Sequence, residues 1–66
     1  MIVKLNDKPY QIEEGTSLAS FLKSLGISTQ GIAIAIRYEV IPKTKWEETI
    51  LSDQVELMLI QAVSGG

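Results

Sequence analysis

The stretch EEGTSLASFLKSLG, residues 13–26, is where the hydrophobic spacing of this chain changes, and its reading decides the fold. Leu18, Phe21, Leu22 and Leu25 recur at i, i+3, i+4 and i+7, which draws one apolar stripe along a helix. Thr16 or Ser17 can cap the first turn through a side-chain oxygen. The charges of Glu13 and Glu14 lie near the positive end of the helix dipole, and Gly26 stands where a left-handed residue closes a helix. The flanking sequence is mostly strand-like, so this one helix must lie on a sheet.

Before it, MIVKL is β-rich and roughly alternating, NDK supplies turn chemistry and PYQI resumes an extended run, together predicting an N-terminal hairpin. Pro9 cannot donate a ladder hydrogen bond, so its strand should lie at a sheet edge or begin there. After the helix, Ile32, Ile34 and Ile36 alternate with Ala33 and Ala35, which puts the isoleucines toward the helix and the alanines on the opposite face. RYE turns into the short strand VIP, ended by Pro42. KTKWEETIL reads as a turn or short helical crossover, with Trp46 pinning it to the core edge. SDQ is turn-like. VELMLIQ is the last strand, with Val55, Leu57 and Leu59 on one face and Glu56, Met58 and Ile60 on the other. A hairpin, one helix and further strands cannot make a doubly wound sheet, but they can wrap one mixed sheet around a single helix. The expected class is α+β, a β-grasp.

Sixty-six residues bound this to one domain, because chains so short bury only about 60 % of their unfolded surface. The expected division is a β-grasp body over residues 1–61 and a flexible tail over 62–66. Hydrophobic residues make up 45 % and charged residues 21 %, the balance of a folded globular domain. Neither cysteine nor histidine occurs, which excludes disulfides, thiolate and imidazole catalysis, Cys/His zinc sites and the iron–sulfur cluster of a β-grasp ferredoxin. Net charge is −2 and the six basic residues are scattered apart from Lys43 and Lys45, so no nucleic-acid footprint is expected. Met1 leads straight into strand-like sequence, and the longest apolar run, IAIAI, is far short of a membrane span, so no signal peptide is read and a cytoplasmic protein is expected.

The tail raises a separate question. Gly65 and Gly66 bury nothing and lose more freedom on ordering than any other pair, so they serve no folding purpose. A chain with EEGTSLASFL opening its helix, VIPKTKW after the third strand and a terminal Gly-Gly resembles the thiamine-pathway sulfur carrier proteins (ThiS family), which are ubiquitin-like β-grasp domains. The likeness covers essentially the whole chain. The terminal pair is its most specific element, since two glycines at fixed positions arise by chance in about one chain in 200. Many relatives carry an Asn-containing turn where Arg37-Tyr38-Glu39 stands here, and an Asp-Gly-Asp-like turn where Ser52-Asp53-Gln54 stands.

The resemblance implies that Gly66 is the covalent site. A ubiquitin-activating-enzyme-like adenylyltransferase of the ThiF type uses Mg-ATP to convert the terminal carboxylate to an acyl-adenylate. Sulfur from a persulfide protein then replaces AMP, and the thiocarboxylate supplies a thiazole synthase of the ThiG type. The carrier would bind no cofactor or metal itself and would be a macromolecular co-substrate rather than an enzyme. Gly65, Ser64, Val63 and Ala62 would enter the partner's active site; five residues extend at most about 17 Å, enough to thread a channel. Met58 and Ile60 are the exposed apolar residues expected near the tail and, with Arg37 and Tyr38 in their turn, form the candidate partner surface. Asp7, Glu13, Glu14, Glu47 and Glu48 read as solvated acids at turns and helix ends. Three other readings keep the same fold: the small subunit of molybdopterin synthase, a protein modifier conjugated to lysines, and a binding module that never uses its terminus.

Overall fold

The computed structural model describes residues 1–28 and 30–61, which form a five-stranded sheet with one α-helix. β1 (Ile2–Leu5) and β2 (Lys8–Gln11) make an antiparallel hairpin, followed by α1 (Leu18–Ser24). β3 (Ile32–Ile36) and β4 (Glu39–Ile41) make a second hairpin; a 3-10 turn at Lys43–Lys45 and then β5 (Glu56–Gln61) complete the order. Across the sheet the strands run β2-β1-β5-β3-β4, with β5 parallel to β1 and antiparallel to β3. This is the mixed sheet around a single helix that the sequence predicts, and Pro9 does lie on an edge strand.

Each hairpin turns on two residues with positive φ, the geometry whose twist matches that of the paired strands. In the first, Asn6 (φ 50°) and Asp7 (φ 68°) are residue types that tolerate the left-handed region. Asn6 does a second job. Its backbone N–H donates to the Leu57 carbonyl at 3.0 Å, and its Oδ1 accepts the Leu59 N–H at 2.9 Å. The side-chain amide thus carries the β1–β5 ladder one rung past the end of β1.

The helix is closed at both ends by named partners. Ser17 is the N-cap, its Oγ accepting the Ser20 N–H at 3.1 Å, whereas Thr16 Oγ1 donates to the Glu13 carbonyl. Glu13 and Glu14 precede the cap, and the first turn carries no acid. Its free amides are met instead by the crossover that follows β4: Leu18 N–H donates to Thr49 O at 2.8 Å and Ala19 N–H to Trp46 O at 3.2 Å. At the other end Gly26 takes φ 70° and donates to Lys23 O, as its position in the sequence predicts. Ser17→Ala is expected to cost about 1 kcal/mol, because one of these amides loses its acceptor; a urea titration followed by circular dichroism reads the shift.

The core forms between helix and sheet. Leu18, Phe21 and Leu22 from α1 meet Val3, Leu5, Ile34 and Leu57 from the strands, all buried. The Tyr10 ring stands edge-on to Phe21 with centroids 5.5 Å apart. Trp46 lies deeper than the core-edge position predicted for it: it is buried within the same cluster, and its indole N–H donates to the Ile41 carbonyl at 2.9 Å. That bond satisfies the one polar atom of the side chain, which is what permits an indole to be enclosed.

Candidate functional site

The helix occupies one face of the sheet, and the described residues leave the other face open. Period-two alternation along β5 sends Glu56, Met58 and Ile60 to that face. Met58 lies opposite Ala35 and Ile60 opposite Ala33, while Ala35 has Val40 of β4 as its neighbour on the other side. Val40, Met58 and Ile60 are exposed by 58 %, 44 % and 43 %, whereas Ala35 between its larger neighbours is buried. The two alanines form a low floor and the larger side chains stand above it. The result is an apolar trough across three strands.

One end of the trough is marked by the β3–β4 turn. Arg37 and Tyr38 are its two central residues, with φ of 53° and 69°, and the Tyr38 side chain is 91 % exposed. Arg37, Tyr38, Ala35 and Met58 share the wall of a shallow cavity. Among the described residues the ion pair is Lys45 with Glu48 at 3.8 Å, so no carboxylate lies within salt-bridge reach of Arg37 there. The other end of the trough is Ile60, one residue before Gln61. Gln61 pairs with Ile32 and closes β5.

Of the four body residues expected at a partner surface, Met58, Arg37 and Tyr38 share one cavity wall, while Ile60 lies at the opposite end of the trough. Ala62, Val63, Ser64, Gly65 and Gly66 lie outside the described residues. Sequence reasoning missed Val40. The signal was present, because a two-residue turn at Arg37-Tyr38 fixes the register and sets Val40 opposite Ala35, on the face already assigned to the alanines. The described residues hold no group of three or more acids placed to bind a metal ion. Among the described residues no helix is long and apolar enough to cross a membrane. This arrangement leaves an exposed apolar face that ends at Ile60, next to the last described residue, Gln61.

The model of the ThiS family matches residues 3–66. The sulfur carrier protein ThiS of Escherichia coli is 29 % identical over 66 residues, covering all of both chains. The ycf40 protein of Porphyra purpurea is 30 % identical over 64 residues, 97 % of this chain and 90 % of its own. The crystal structure of the thiamine biosynthesis protein ThiS from Geobacter metallireducens superposes with a TM-score of 0.85 over the whole of both chains at 19 % identity, which supports the β-grasp assignment.

Proposed function

The chain belongs to the ThiS family, and from that premise we propose that it carries sulfur on the Gly66 carbonyl carbon for thiazole formation in thiamine biosynthesis. The observation that supports this most directly is the extent of the family match, which runs through Gly65 and Gly66 and so includes the tail.

The chemistry follows from the terminus itself. An α-carboxyl has a pKa of about 3.3–3.7, so at neutral pH it is a carboxylate, a good nucleophile toward phosphorus and a poor acyl electrophile. An ATP-dependent adenylyltransferase resembling ubiquitin-activating enzymes lets a carboxylate oxygen attack the α-phosphorus of Mg-ATP and expel pyrophosphate. A persulfide then attacks the acyl carbon and expels AMP. A second thiol cleaves the resulting acyl disulfide and leaves the thiocarboxylate, which delivers sulfur to a thiazole synthase. Each catalytic group belongs to a partner, so this chain acts as a co-substrate and not as an enzyme. The need for ATP and reduced sulfur fits the cytoplasm.

In this scheme Ala62, Val63, Ser64 and Gly65 thread the partner's channel, where the two glycines allow a narrow bore. The trough holds the body outside it. The test is mass spectrometry after incubation with the adenylyltransferase, Mg-ATP and a persulfide donor. One oxygen-to-sulfur exchange at Gly66 is expected. Lysine conjugates would indicate a modifier instead, and an unchanged mass with active partners would overturn the proposal. For the docking face, Ile60→Asp is expected to change stability by no more than about 1 kcal/mol, since the side chain is half exposed, and to raise the adenylyltransferase KM about tenfold or more. Steady-state kinetics beside a denaturation curve reads both.

A further inference from the structure

The two hairpins solve the same backbone problem with different residues. Both turns need two consecutive residues at positive φ, for which Asn and Gly are the usual occupants. The β1–β2 turn uses Asn6 and Asp7, and Asn6 also bonds to Leu59. The β3–β4 turn uses Arg37 and Tyr38, whose Cβ atoms and long side chains make the left-handed region unfavourable. No side-chain hydrogen bond or ion pair of either residue occurs among the described residues to offset this, and the Tyr38 ring is almost wholly exposed. Strain held without an internal return is a mark of a residue kept for something outside the fold.

We infer that Tyr38 is an anchor of the adenylyltransferase interface, its ring entering an apolar pocket on that enzyme. This rests on the sulfur-carrier reading above. Three observations set the direction. Tyr38 and Arg37 share a cavity wall with Met58, so the anchor is continuous with the trough. Arg37 makes no ion pair among the described residues, and it shares that cavity wall with Asp7 and Glu56. Exposed Tyr and Arg are also the residue types that most often dominate binding energy once a partner excludes water from them. The adenylyltransferase is the partner because it meets the chain while its terminus is an ordinary carboxylate. Any chain ending in Gly-Gly offers that group through the same narrow bore, so discrimination among such ends at this step must come from the body, whereas a later partner can recognise the thiocarboxylate.

The test replaces the turn with the residues its backbone favours, Arg37→Asn with Tyr38→Gly. Relief of the left-handed strain is expected to raise the folding equilibrium constant about five- to tenfold, after allowing for the extra freedom of glycine in the unfolded chain. In ATP–pyrophosphate exchange the KM for this variant is expected to rise about tenfold or more with kcat within about twofold of the original chain. Tyr38→Phe keeps the ring and should leave KM within about twofold. A merely structural Tyr38 would give a less stable variant, which overturns the inference. So does a stabilised variant with unchanged KM, or a Phe variant as impaired as the Asn-Gly one. If the unaltered chain itself fails to drive exchange, the sulfur-carrier proposal falls and the anchor falls with it.

Discussion

A chain that ends at Gly65 is expected to take up sulfur at least about 100-fold more slowly than the full chain while unfolding at the same denaturant concentration. The reason is reach. Each extended residue spans about 3.3–3.6 Å, so removing Gly66 withdraws the carboxylate by that distance from wherever the body is docked. Misplacement by about 1 Å can already cost two orders of magnitude in a positioned reaction. The new terminus is still a glycine carboxylate, chemically the same group, so a loss measures position and not intrinsic reactivity. Single-turnover adenylation followed by intact-mass analysis gives the rate, and a urea titration gives the stability. Equal rates for the two chains would show that the terminal carbon is not held at a fixed distance from the docked face, and the carrier mechanism in this form would be wrong.

Phe21→Ala is expected to remove much of the protein's stability at 25 °C. Truncating a buried Phe costs about 3–5 kcal/mol through lost transfer energy and the cavity left behind. The edge-on contact with Tyr10 adds about 0.5–1.5 kcal/mol that alanine cannot replace. A chain of this length has roughly 3–10 kcal/mol in total. Few other positions carry so much: Phe21 is the largest fully buried side chain of the described residues, and it joins the helix to the β1–β2 hairpin. Far-ultraviolet circular dichroism and a loss of cooperative melting would report the change. A variant that kept a sharp transition within about 2 kcal/mol of the original would mean that the core repacks around the void. Sulfur loading should fall with the folded fraction, because an intact tail on an unfolded body lacks the face that docks it.

These two results address different levels of the molecule. Losing Gly66 leaves the body and shortens the reach of the reacting carboxylate; losing Phe21 leaves the terminus and weakens its presentation. A binding module that ignored its terminus would respond to the second change alone. A carrier responds to both.

The elements of this chain were legible without any structure wherever the information is local. The i, i+3, i+4, i+7 spacing of Leu18, Phe21, Leu22 and Leu25 set the buried face of the helix, Gly26 set its end, and Pro9 marked an edge strand. Alternation sent Met58 and Ile60 to the face opposite Leu57 and Leu59. Each is a consequence of backbone period or of one residue's allowed φ, which neighbours a few positions away determine. The joining of those elements was not local. The parallel pairing of β1 with β5 and the donation of Thr49 and Trp46 carbonyls to the helix start unite residues dozens of positions apart, as does the side-chain rung from Asn6 to Leu59. The meeting of Met58 with Ala35, which brings it beside Val40 over one trough, is likewise set by pairing between distant strands. Sequence alone fixed which side chains seek burial and where the chain turns. Tertiary structure decided which exposed residues become neighbours, and it revealed the left-handed backbone at Arg37 and Tyr38, because strand register and turn conformation are settled by the whole sheet closing on its helix.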